Sequence, residues 1–123
     1  MSKRLRIKPI SEDVVARDRM VLASPRKVNL VARMIRGMYA ADALNALRFC
    51  RKAVAADVRK TLLSAIANAE TNNGLNVDSL RVKEAYVGKA ITMKRFMARA
   101  RGNGARINKT FSHLTLVLCE TEN

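Results

Sequence analysis

Tryptophan is missing from this chain, aromatic residues make up only 4% of it, and histidine occurs once. A core without large rings must be filled by Ala, Val, Leu, Ile and Met, and a hydrophobic content of 49% supplies enough of them for one domain. A lone histidine cannot serve a hydrolytic triad and a metal site at once, and His113, Cys50 and Cys119 are isolated from one another. The two cysteines read as free, buried thiols of a reducing compartment rather than as a disulfide. The ten acidic residues are scattered without a paired motif, so no metal site, no cofactor and no enzymatic activity is expected. Gly102 and Gly104 lack the strand–loop–helix context of a phosphate-binding loop. No apolar run approaches the roughly 18 residues that cross a bilayer. The start, MSKRLRIKPI, is basic but has no apolar stretch behind it, which argues against a secretory signal. An organellar transit peptide would be longer and poorer in acids than the SEDVVARD that follows.

What the chain has in excess is positive charge: 24 Lys and Arg against ten acids, a net +14. Such an excess implies an acidic partner, nucleic acid first and an anionic membrane surface second. The charge is unevenly placed. No acid occurs between Glu84 and Glu120, while Lys89, Lys94, Arg95, Arg99, Arg101, Arg106 and Lys109 fall there. Leu80, Val82 and Tyr86 lead into this stretch with alternating spacing, and Leu114, Leu116 and Leu118 lead out of it, so both flanks read as strands. Gly102-Asn103-Gly104 offers a reversal between them. The pattern predicts one long β-hairpin. At about 16 residues per arm it would span about 50 Å, against a radius of gyration of about 14 Å for a globule of this size. It is therefore expected to project, and its polar distal half to become ordered on a polyanion. A solvated basic loop is the plainer reading of such a run. Ile91, Met93, Phe96, Met97 and Ile107, interleaved with the charges, favour contact beyond phosphate.

Along the rest of the chain, residues 1–12 read as a basic tail, with Lys3, Arg4, Arg6 and Lys8. Residues 14–22 read as a strand. Ser24-Pro25 then starts a helix that runs to Arg36 and stops at Gly37. Val28, Val31 and Ile35 share one side of it. Arg26, Asn29, Arg33 and Arg36 form a stripe on another, and Lys27 adds a cation to the first turn, where the helix dipole disfavours it unless an anion is near. Further helices are expected over 41–50 and 55–72. Arg51, Lys52, Arg59 and Lys60 read as a solvated face. The whole is predicted as a single domain over 1–123, with a body over 13–87 and 111–120 and an arm over 88–110. Candidate contacts to nucleic acid are Arg26, Lys27, Arg33 and Arg36 with the seven hairpin cations.

Five segments, in order, carry a resemblance. They are Ser24-Pro25-Arg26-Lys27 with Ile35-Arg36-Gly37, the run SAIANAE over 64–70, VKEAYV over 82–87, MKRFMARARG over 93–102, and Ser112-His113-Leu114-Thr115. With them the chain resembles the family of large-subunit ribosomal protein twenty-two in the bacterial naming, over most of residues 14–119. The resemblance implies an α+β fold, three helices packed on a small antiparallel sheet with a long protruding β-hairpin. It implies a structural constituent of the large ribosomal subunit that binds large-subunit (23S) rRNA, supports assembly, touches neighbouring ribosomal proteins and works without a small-molecule substrate or membrane. It further implies that the hairpin lines the nascent-peptide exit tunnel, its tip at Met93, Lys94, Arg95, Phe96, Met97, Ala98 and Arg99. The expected location is a bacterial, cytoplasmic ribosome rather than an organellar one. The family usually has proline where Ala98 stands and often arginine where Asn103 stands, so this tip has a freer backbone and one cation fewer. The competing reading is a histone-like DNA-bending protein with basic β-arms, which would need a wedge, typically proline, at the tip. A membrane-surface protein would need an amphipathic helix with a large apolar face, and the first helix has no aromatic anchor for that role.

Overall fold

Regular alternation builds the central strand. In β3 (Gly104–Glu120) Leu114, Leu116 and Leu118 are fully buried, all pointing to one face. The computed structural model describes residues 13–98, 102 and 104–120, and the side chains of these except at 97, 98 and 105–107. The basic tail over 1–12, and Arg99, Arg101 and Asn103 of the hairpin, lie outside the described residues.

Strand β1 (Val14–Val21) and strand β2 (Leu80–Ala98) pair antiparallel with the two edges of β3, in the order β1-β3-β2. β1 follows β3 from Val14↔Leu118 to Val21↔Ser112, with an irregularity after Asp18, whose carboxylate accepts the Met20 N–H at 3.1 Å. Beyond Ser112 the sheet continues as a two-stranded ribbon from Lys89 to Ala98, about 30 Å of extended chain.

Helices α1 (Pro25–Ile35), α2 (Ala40–Arg48) and α3 (Val54–Asn73) cover the Leu114–Leu116–Leu118 face. α1 buries Val28, Val31, Ala32 and Ile35, and α3 buries Ala55, Val58, Leu62, Ala65 and Ala69. Alanine at so many contact positions lets backbones approach closely, which is how the chain fills a core without tryptophan. Gly74 closes α3 in the left-handed region at φ 61°, where the Leu75 N–H reaches back to the Ala69 carbonyl at 3.0 Å. The architecture is the α+β one expected, three helices on a three-stranded antiparallel sheet with a long hairpin.

Two details differ from the sequence reading. An extra residue between Val82 and Glu84 shifts the register of β2, and a second shift falls between Lys89 and Thr92. The first reverses the alternation, so Ala85 takes the core position and Tyr86 turns out to the other face, 48% exposed. The thiols of Cys50 and Cys119 are free but only half-buried.

The outer edge of β2 is closed where it meets the body. The Gly37 N–H donates to the Val82 carbonyl and the Val82 N–H to that of Met38, each at 2.9 Å. Arg81 reaches the Gly37 carbonyl at 2.7 Å and lies over the Tyr39 ring at 5.4 Å. On the β1 side, the buried Ser112 hydroxyl donates to the Ala23 carbonyl at 2.6 Å and fixes the loop that starts α1.

Candidate nucleic-acid interface

Directly paired residues of an antiparallel ladder point to the same face, so the register assigns the ribbon's side chains. Lys89, Thr92, Lys94 and Phe96, opposite Ser112, Thr110, Asn108 and Arg106, lie on the helix-side face. Met93 and Arg95 lie on the other face, Met93 opposite Lys109. The ribbon thus carries cations on both sides: Lys89 and Lys94 on one, Arg95 and Lys109 on the other. All four are exposed. Among the described residues the one ion pair is Lys83 with Asp13 at 2.9 Å. That hydrogen bond, and then the charge of Asp13, hold the Lys83 ammonium above its ordinary range. The ribbon cations have no such neutralising partner among the described residues.

Apolar groups stand between these charges. Ile91 is 56% and Phe96 75% exposed. The Phe96 ring lies across Gly104, where any Cβ would overlap it, so this glycine makes room for an aromatic ring beside the turn. Arg95 holds its guanidinium near the Met93 sulfur at 3.9 Å on their shared face. An exposed ring among unpaired cations can stack on bases while the charges meet phosphates.

On α1, Arg26, Lys27 and Arg33 are exposed. Arg36 is used differently from the other members of its stripe. Its Nε donates to the Ala85 carbonyl at 2.7 Å and a terminal nitrogen to Asn29 Oδ1 at 2.8 Å. These bonds tie α1 to the edge of β2, so Arg36 positions the stripe while Arg26 and Arg33 present it. Of the other sequence-predicted residues, the Arg99 and Arg101 positions lie outside the description, and for Arg106 only the backbone pairing with Phe96 is described. His113 is exposed.

Sequence reasoning passed over a cavity of about 690 Å³ at the root of the ribbon, where the starts of α1 and α3 approach β3. Lys52, read from sequence as part of a solvated face, lines it together with Lys27. Leu22, read from sequence as the end of a strand, is 75% exposed there beside the start of α1. Among the described residues no group of His, Cys, Asp or Glu is arranged to hold a metal ion, and no helix is long and apolar enough to cross a membrane.

The chain is similar to known proteins over most of its length. Residues 16–119 match the family model described as ribosomal protein L22p/L17e. A protein of Methylobacterium sp. (strain 4-46) named large ribosomal subunit protein uL22 is 62% identical over 102 residues, 83% of this chain and 80% of its own length. Its namesake in Maricaulis maris is 58% identical over 107 residues, 87% and 85% of the two chains. The one in Agrobacterium fabrum is 56% identical over 117 residues, 95% and 89%.

Proposed function

Since the chain belongs to the ribosomal protein L22p/L17e family, a family of structural proteins of the large subunit, we propose that its ribbon and α1 stripe bind large-subunit (23S) rRNA. The observation that carries this is the distribution of unpaired cations over both faces of a thin ribbon. A ligand on one side only, such as a membrane surface, would leave half of them unneutralised. Folded rRNA presents phosphates from several directions around a narrow passage. Lys89, Lys94, Arg95 and Lys109 are the phosphate contacts of the described ribbon, with Arg99, Arg101 and Arg106 continuing the charge in sequence. Arg26, Lys27 and Arg33 contact rRNA beside the body, and Arg36 supports them. By joining separate RNA segments the protein supports subunit assembly next to neighbouring ribosomal proteins, in the bacterial cytoplasm. The tip, Met93 to Arg99, lines the tunnel through which the nascent peptide leaves.

A competition experiment separates this from DNA bending and membrane binding. The protein is bound to labelled large-subunit rRNA at fixed salt and challenged with unlabelled rRNA, duplex DNA or anionic vesicles at equal phosphate. Only rRNA is expected to displace the label efficiently. Displacement by duplex DNA at lower concentration than by rRNA would contradict the proposal and favour the histone-like reading.

A further inference from the structure

The cavity at the ribbon root is not explained by phosphate contact alone. Its walls include the side chains of Leu22 and Leu30, which stay 75% and 49% exposed in a strongly basic protein. Its rim carries Lys27 and Lys52, both exposed and without an ion pair among the described residues. Asn108 and Thr110 of β3 supply side-chain donors and acceptors from below. A phosphate would use the lysines and leave the apolar walls in water. An apolar side chain from a neighbouring protein would leave the lysines without partners. At about 690 Å³ the space lies within the roughly 300–1,000 Å³ of pockets that enclose an organic ligand, well beyond the needs of one ion.

We infer that this cavity receives a single base splayed out of the rRNA, held between Leu22 and Leu30, with Lys27 and Lys52 on the phosphates that flank it. The inference rests on the rRNA reading above and adds a site to it. Each part of a nucleotide then has a counterpart. The base faces meet apolar side chains, its edge meets Asn108 and Thr110, and its phosphates meet the lysines. Lys27 also gains the anion whose absence makes a cation unfavourable in the first turn of α1. The loop 22–24 that forms one wall is held in place by the bond from Ser112 to Ala23, so that wall is set before the RNA arrives.

The test uses the full chain and isolated large-subunit rRNA. Ala53→Phe, at an exposed lining position, fills the cavity without changing charge. It is expected to weaken binding about tenfold while leaving the log–log salt slope unchanged. It should also expose the Watson–Crick edge of one unpaired nucleotide that the unsubstituted protein protects, read with dimethyl sulfate for A and C and with a carbodiimide for G and U. Lys27→Gln with Lys52→Gln should instead lower the salt slope by about 1.5. If Ala53→Phe lowers the melting temperature appreciably, Leu22→Gln carries the same expectation for affinity and reactivity. Normal rRNA binding by the parent protein, with unchanged affinity and reactivity in the cavity variants, overturns the base site alone. Weak binding by the parent protein itself overturns the rRNA reading, and this inference with it. Lost binding to an acidic protein of the subunit, with rRNA reactivity unchanged, would assign the cavity to a protein partner and overturn the inference.

Discussion

Replacing Lys89, Lys94, Arg95 and Lys109 together by glutamine is expected to weaken binding to large-subunit rRNA by about two to three orders of magnitude near physiological salt. The size follows from counterion release. Each cation that neutralises a phosphate contributes roughly 0.7–0.9 to the log–log slope of affinity against salt, so four of them account for about 3. Nothing within the protein offsets the loss, because all four side chains are exposed and none has an acidic partner among the described residues. For the same reason the fold should barely change, since exposed charges without partners contribute little to stability. Arg36→Gln is the internal contrast. It removes the bond to the Ala85 carbonyl and so should appear in the unfolding midpoint more than in the salt slope. Filter binding across a salt series reads the affinity and the slope, and urea unfolding reads the midpoint. A loss under tenfold with an unchanged slope would mean that the ribbon charges do not meet phosphate.

Leu116→Ala is expected to cost about 3–5 kcal/mol of folding stability, toward the upper part of the range for buried leucines. Leu116 is fully buried on the central strand, and its register partners on both sides are alanines, Ala16 on β1 and Ala85 on β2. The leucine therefore fills the space between two small cross-strand neighbours, and no long side chain stands directly opposite it on either ladder to collapse into the gap. A domain of this size has roughly 5–15 kcal/mol in total, so the variant should sit near the edge of folding. Urea unfolding gives the value, with the midpoint falling at unchanged m. A cost below about 1 kcal/mol would show that the core is centred elsewhere.

The elements that could be read from sequence are those whose signals are local. Ser24-Pro25 and Gly37 bracket α1, and Val28, Val31 and Ile35 mark its buried side, because a helix start, a left-handed stop and a 3.6-residue period all lie within one segment. The hairpin was legible from leucine alternation in β3 and from charge, which adds up regardless of geometry. The face of Tyr86 was not legible. The extra residue near Val82 carries no glycine or proline to mark it, and one insertion reverses every position after it. The division of ribbon cations between two faces depends on the second shift, and was hidden for the same reason. Arg36 looked like its stripe partners because the carbonyl it meets lies 49 residues away. The cavity is built by four separate stretches, around Leu22, Leu30, Lys52 and Thr110, none of which announces it alone.

The central claim is that the ribbon lies against folded rRNA in the assembled subunit. It is tested most directly by tethering an iron chelate at residue 93, through Met93→Cys in a Cys50→Ala, Cys119→Ser background, and reconstituting large subunits. Hydroxyl radicals from that position should cut the rRNA strongly at a few discrete sites on more than one side of the ribbon. Cleavage no stronger than from a probe on the solvent-exposed body would place the ribbon away from RNA and contradict the account.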